Sequence, residues 1–123
     1  MTSIFDRFFN LNKEDRKEAE IKYINERSSN EEPVKVKVTV FGRVQGVGFR
    51  FTTVHLAENL GVDGMVRNER NGSVYVEASG SEDKIDDFIT ELAKGPSPSA
   101  DVDKVQVEYD DSLKEYHGFS ERY

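Results

Sequence analysis

The chain has 123 residues, no cysteine and a formal net charge of −7. That length suits one compact core with room for an appendage, the missing thiols exclude disulfides, thiolate catalysis and cysteine-bound zinc, and the acidic balance argues against a general binder of nucleic acid or of an anionic membrane. No apolar run reaches the length of a membrane-spanning helix, and the first residues lack the pattern of a signal peptide, so a cytoplasmic protein is expected.

Residues 1–33 read as an N-terminal helical extension and linker. Ser3 can cap a short helix with Ile4, Phe5, Phe8 and Phe9 on one face, and Asn12 a second, charged helix to about Arg27 with Ile21 and Ile24 on one stripe. Both are short for helices standing alone in water. The polar run from Ser28 to Glu32, closed by Pro33, reads as the linker. The phenylalanine cluster is expected to pack onto the main domain or onto a second copy; a docking helix for a protein partner is the sharper alternative.

Residues 34–123 are regular. Valines alternate with Lys35, Lys37, Thr39 and Phe41, so the first strand turns its valines to a core. A glycine-rich loop follows (Gly42, Gly46, Gly48) and runs into a helix with Thr53, Leu56, Ala57 and Leu60 as its core positions, stopped by Gly61. Residues 62–68 and 73–79 read as strands joined by a two-residue turn at Asn71 and Gly72. Ser81 caps a second helix with Ile85, Phe88, Ile89 and Leu92 on one stripe, and Gly95 and Pro96 end it. A strand at 102–109 and a short extended piece around Phe119 complete the chain. The order β-α-β-β-α-β with right-handed crossovers gives an α+β, ferredoxin-like sandwich: one antiparallel sheet, two helices on one face and a short extra C-terminal strand. That fold hosts many functions, so it does not by itself assign one.

The chemistry concentrates in residues 42–50. Glycines let successive N–H groups converge on one point, a helix N-terminus beside them adds positive potential, and Arg50 in the first turn offers a fixed fork of donors. Together these suit a phosphate or carboxylate. A P-loop and a dinucleotide fingerprint are both disfavoured, because neither ending is present. His55 and His117 sit in separate elements without ligand spacing, so surface or packing roles are expected of them rather than a metal site or a base.

Gly42, Val44, Gln45, Gly46, Val47, Phe49 and Arg50 match the G-x-V-Q-G-V-x-F-R loop of the acylphosphatase family, and Gly64, Val66, Asn68 and Gly72 match its second pattern. Residues 35–123 thus resemble that family, although Met65 stands where many members have tryptophan and Phe51 and Thr52 replace a more common aromatic pair. The resemblance implies hydrolysis of the carboxyl-phosphate anhydride of a small acyl phosphate, without metal, cofactor or covalent intermediate, and with inorganic phosphate as product and inhibitor. It implies Arg50 as the phosphate-binding catalytic arginine and Asn68 as the residue orienting water. The backbone of Arg43, Val44, Gln45, Gly46, Val47 and Gly48 would hold the phosphoryl oxygens, while the Gln45 side chain is expected to keep the loop's shape. The alternative is a non-catalytic module of the same build that binds an anion or a partner.

Overall fold

The computed structural model describes residues 19–123. Strands β1 (Glu20–Tyr23), β2 (Val34–Arg43), β3 (Asp63–Asn68), β4 (Val74–Gly80), β5 (Asp101–Tyr109) and β6 (Phe119–Arg122) form one sheet in the order β1-β5-β2-β4-β3-β6. Helices α1 (Phe49–Leu60) and α2 (Glu82–Lys94) connect β2 to β3 and β4 to β5. The central strands β5-β2-β4-β3 pair antiparallel, as the ferredoxin-like reading expects. Both outer strands pair parallel instead, β1 on β5 and β6 on β3, so the sheet is mixed.

Alternation produces the core. Val34, Val36, Val38 and Val40 are buried on β2, and Val74, Val76 and Ala78 lie against them from β4. Phe49, Thr53 and Ala57 of α1 and Ile85, Phe88, Ile89 and Leu92 of α2 close over that apolar face. Residues spaced at three and four along a helix share one side, which is why two short amphipathic helices suffice to cover four strands. Gly61 caps α1 in the left-handed conformation, and the Ser81 hydroxyl accepts from the Lys84 N–H at the start of α2.

Two expectations are corrected. Glu20–Tyr23 is a strand, not part of a helix reaching Arg27: it pairs from Glu20↔Lys104 to Tyr23↔Val107. Fixed partners on the open edge of β5 outweigh a weak helical stripe, since a short charged helix has little to hold it in water. Arg27 and Glu32 continue the attachment, Arg27 by an ion pair with Glu82 and the Glu32 carboxylate by accepting from the Glu82 N–H. The helix read at Ser3 and the phenylalanine cluster lie outside the described residues.

The second correction concerns the β3–β4 turn. Asn68 pairs with Val74, and the Glu69 N–H donates to the Ser73 carbonyl, leaving three residues, Arg70 to Gly72, in the turn. Gly72 alone there takes positive φ, while the Asn71 carboxamide accepts from the Ser73 N–H. This is the three-residue hairpin with glycine at its left-handed position. The register matters because a slip of one residue exchanges the faces of a strand. In the observed register Asn68 shares a face with the fully buried Val66, toward the helices.

Candidate active site

Gly42 is a strand residue rather than a loop residue. At φ 133° it sits where the β2–β5 register shifts, and a Cβ there would overlap the Asp101 carbonyl oxygen. The turn itself uses Gly46 (φ 74°) and Gly48 (φ 76°), which face open space and bend the chain back into α1. Gly48 is the N-cap of α1 and brings no capping side chain; no acidic residue occupies the first turn. The first intrahelical bond runs from the Thr52 N–H to the Gly48 carbonyl at 3.1 Å. The preceding amides therefore point out of the helix end with the positive end of its dipole, an arrangement that suits an anion.

Three braces hold this loop. The Gln45 amide donates to the carbonyls of Glu69 (2.7 Å) and Ser73 (2.9 Å), tying the loop to the neck of the β3–β4 hairpin. The buried Ser97 hydroxyl donates to the Val47 carbonyl at 2.6 Å. Val44 and Phe49 are buried anchors on either side. Gln45 thus acts through its side chain as a spacer between loop and hairpin, in line with its expected shape-keeping role.

A cleft opens over the loop, lined by Val44, Gly46, Gly48, Phe49, Arg50, Phe51, Asn68 and Glu121. Of the residues expected to form the site, Val44, Gly46, Gly48, Arg50 and Asn68 meet there. Arg43, Gln45 and Val47 are not among its walls: Arg43 ends β2 opposite Asp101, and the other two serve the braces. Asn68 Oδ1 is buried without a hydrogen-bond partner. An orphaned buried acceptor costs about 1–3 kcal/mol.

Arg50 is held from the C-terminal side. Its Nη1 donates to the Arg122 carbonyl (3.3 Å), its Nε lies 3.6 Å from Glu121 Oε1, and its guanidinium stands 4.7 Å from the centre of the Tyr123 ring. Sequence reasoning missed Ser97, Glu121 and Tyr123. Ser97 carries no local signal. Glu121 does, because strand alternation from Phe119, which packs edge-on to Phe88 at 5.8 Å, turns residue 121 to the helix side, whereas Tyr123 lies beyond the strand and carries no such signal.

The arrangement offers backbone donors, an arginine and a carboxamide around one small cleft, and so suits holding a tetrahedral anion with a water beside it. Among the described residues, no cluster of three His, Asp or Glu side chains is placed to hold a metal ion, and no helix is long and apolar enough to cross a membrane.

Comparison with known proteins finds relatives along most of the described chain. The family model described as Acylphosphatase matches residues 36–121. A protein of Ligilactobacillus salivarius named acylphosphatase is 44% identical over 87 residues, spanning 71% of this chain and 96% of its own. One of Thermotoga maritima with the same name is 44% identical over 88 residues, 72% and 96% of the two chains. The crystal structure of acylphosphatase from Bacillus subtilis superposes with a TM-score of 0.70 at 34% identity, covering 73% of this chain and 99% of that one.

Proposed function

Since the chain belongs to the acylphosphatase family, we propose a division of labour for the cleft in an acylphosphatase reaction. The activity is hydrolysis of an acyl phosphate to a carboxylate and inorganic phosphate. Water adds to phosphorus, the bond from phosphorus to the acyl oxygen breaks, and an acyl phosphate dianion and water yield a carboxylate and dihydrogen phosphate. The leaving group is already a weak base, so its departure needs no general acid. What remains for the protein is positioning and electrostatic stabilisation.

Loop amides at Val44, Gly46 and Gly48, with the N-terminus of α1, hold the phosphoryl oxygens. Amides of Arg43, Gln45 and Val47 complete the expected cradle only so far as the bound anion reaches past the observed walls. Arg50 neutralises charge that spreads over those oxygens as the bond to the acyl group lengthens. The Asn68 carboxamide, which offers both an acceptor and donors, orients the attacking water toward phosphorus, while the proton passes to a phosphoryl oxygen. The meeting of Arg50 and Asn68 on the walls of one small cleft carries this reading: a fork of donors and a non-titrating carboxamide border the same space beside the glycine loop.

Arg50→Ala tests the assignment. Loss of one preorganised donor to developing oxyanion charge lowers turnover by about 10² to 10³-fold. The melting temperature should stay near that of the parent, because Arg50 takes no part in the apolar core. A folded variant with undiminished turnover contradicts the role.

A further inference from the structure

The cleft contains a negative charge that hydrolysis does not require. Glu121 lies on its wall, on the β6 face that points toward the helices, and its carboxylate sits 3.6 Å from Arg50 Nε. That separation exceeds a hydrogen bond, so the two groups interact as charges. The two side chains are 24% and 33% exposed, placing the pair at the mouth of the site rather than in a dry interior. An anion entering the cleft meets an arginine already partly neutralised.

Resting on the acylphosphatase reading, we propose that Glu121 is a positioning and affinity-setting residue: it shares Arg50 with the bound anion and holds down the affinity of the cleft for phosphate. Two consequences follow from the geometry. First, a carboxylate at Nε and the Arg122 carbonyl at Nη1 restrict a side chain that carries large rotamer entropy when free, leaving the remaining N–H groups for the phosphoryl group. Second, a like charge on the cleft wall opposes every phosphate species, substrate and product alike. The product therefore leaves more readily than from a cleft with an unshared arginine. The cost is uniform binding, which appears in KM more than in kcat.

The test is Glu121→Gln, which removes the charge and keeps the shape, with Glu121→Asp as the variant that keeps a carboxylate. Inorganic phosphate is the probe, and its Kd is measured by calorimetry at low and at moderate salt, so the readout does not depend on turnover. Glu121→Gln should bind phosphate about two- to fivefold more tightly at low salt, with a smaller gain at moderate salt and a parallel fall in KM for an acyl phosphate. Glu121→Asp should stay nearer the parent. Unchanged or weaker phosphate binding by a folded Glu121→Gln protein overturns the proposal, as does an equal gain in both variants, which would mark a structural effect. A parent protein that binds phosphate but does not turn over an acyl phosphate contradicts the enzymatic reading instead, and leaves the affinity comparison standing.

Discussion

At the scale of single residues, the site depends on side chains that place other groups. Gln45 is the clearest case, because its one amide nitrogen serves two carbonyls that belong to a different element. Gln45→Leu keeps the volume and removes both donors, leaving the Glu69 and Ser73 carbonyls without that partner. We expect a stability loss of about 1–3 kcal/mol in urea unfolding and a fall in kcat, since the loop amides lose their register with Asn68. A variant with parental stability and kcat would show that the brace is dispensable. The residues proposed for the chemistry were legible in the sequence because Arg50 and Asn68 each stand in a motif of the family resemblance, and the glycine loop beside Arg50 suits an anion by itself. The residues that hold them were less so. Glutamine at 45 suggested a shape-keeping role without saying what it grips, and Ser97 lies about fifty positions from the carbonyl it serves. Contacts at that separation follow from the fold, not from local pattern.

At the scale of elements, strand register aims the site. Gly64 in β3 has φ 153°, and a Cβ there would overlap the Glu77 carbonyl of β4. Gly64→Ala should therefore disturb the β3–β4 ladder and move Asn68 four residues downstream. Loss of more than about 2 kcal/mol in denaturant unfolding is expected, with weakened activity even in the fraction that folds. Parental stability for this variant would contradict the close approach. A second element-scale prediction concerns pH. The Lys37 ammonium, 2.8 Å from Asp110 between β2 and the residue after β5, together with the Ser112 hydroxyl and N–H, holds the Asp110 carboxyl down to about 2 from 3.8. Its folded value is depressed, so the contribution is present above the unfolded value and is lost as pH falls from about 3.8 toward 2. Asp110→Asn should flatten the acid limb of a stability profile in that window, and an unchanged slope would count against the pairing. Alternation and glycine stops made the main strands and helices readable. The β3–β4 turn was misread by one residue, because an Asn-Gly pair serves two-residue and three-residue hairpins alike and only the register distinguishes them.

At the scale of the whole molecule, the cleft and the N-terminal strand lie at opposite ends of the sheet order. The cleft draws on α1, β3 and β6, whereas β1 lines the far edge of β5, where Asn25 both accepts from the Tyr109 N–H and donates to its carbonyl. We propose residues 1–33 and 34–123 as separable in function while joined in stability. Removing residues 1–32 should lower the melting temperature by uncovering the β5 edge and breaking the Arg27–Glu82 pair, yet leave kcat per folded molecule within about twofold. Loss of turnover in a well-folded truncated chain would contradict that separation. Strand β1 escaped the sequence because its four residues carry a faint helical stripe, and only the open edge of β5 decides between the alternatives. The central claim is that Arg50 and Asn68 act on one phosphoryl group. It is tested most directly by phosphate release from a simple aromatic acyl phosphate, comparing the parent with Arg50→Ala and Asn68→Ala at equal folded concentration. We predict turnover by the parent and a fall of about 10² or more in both variants, with Asn68→Ala changing kcat and largely sparing the affinity for inorganic phosphate. Full turnover in either variant, or none in the parent, would contradict it.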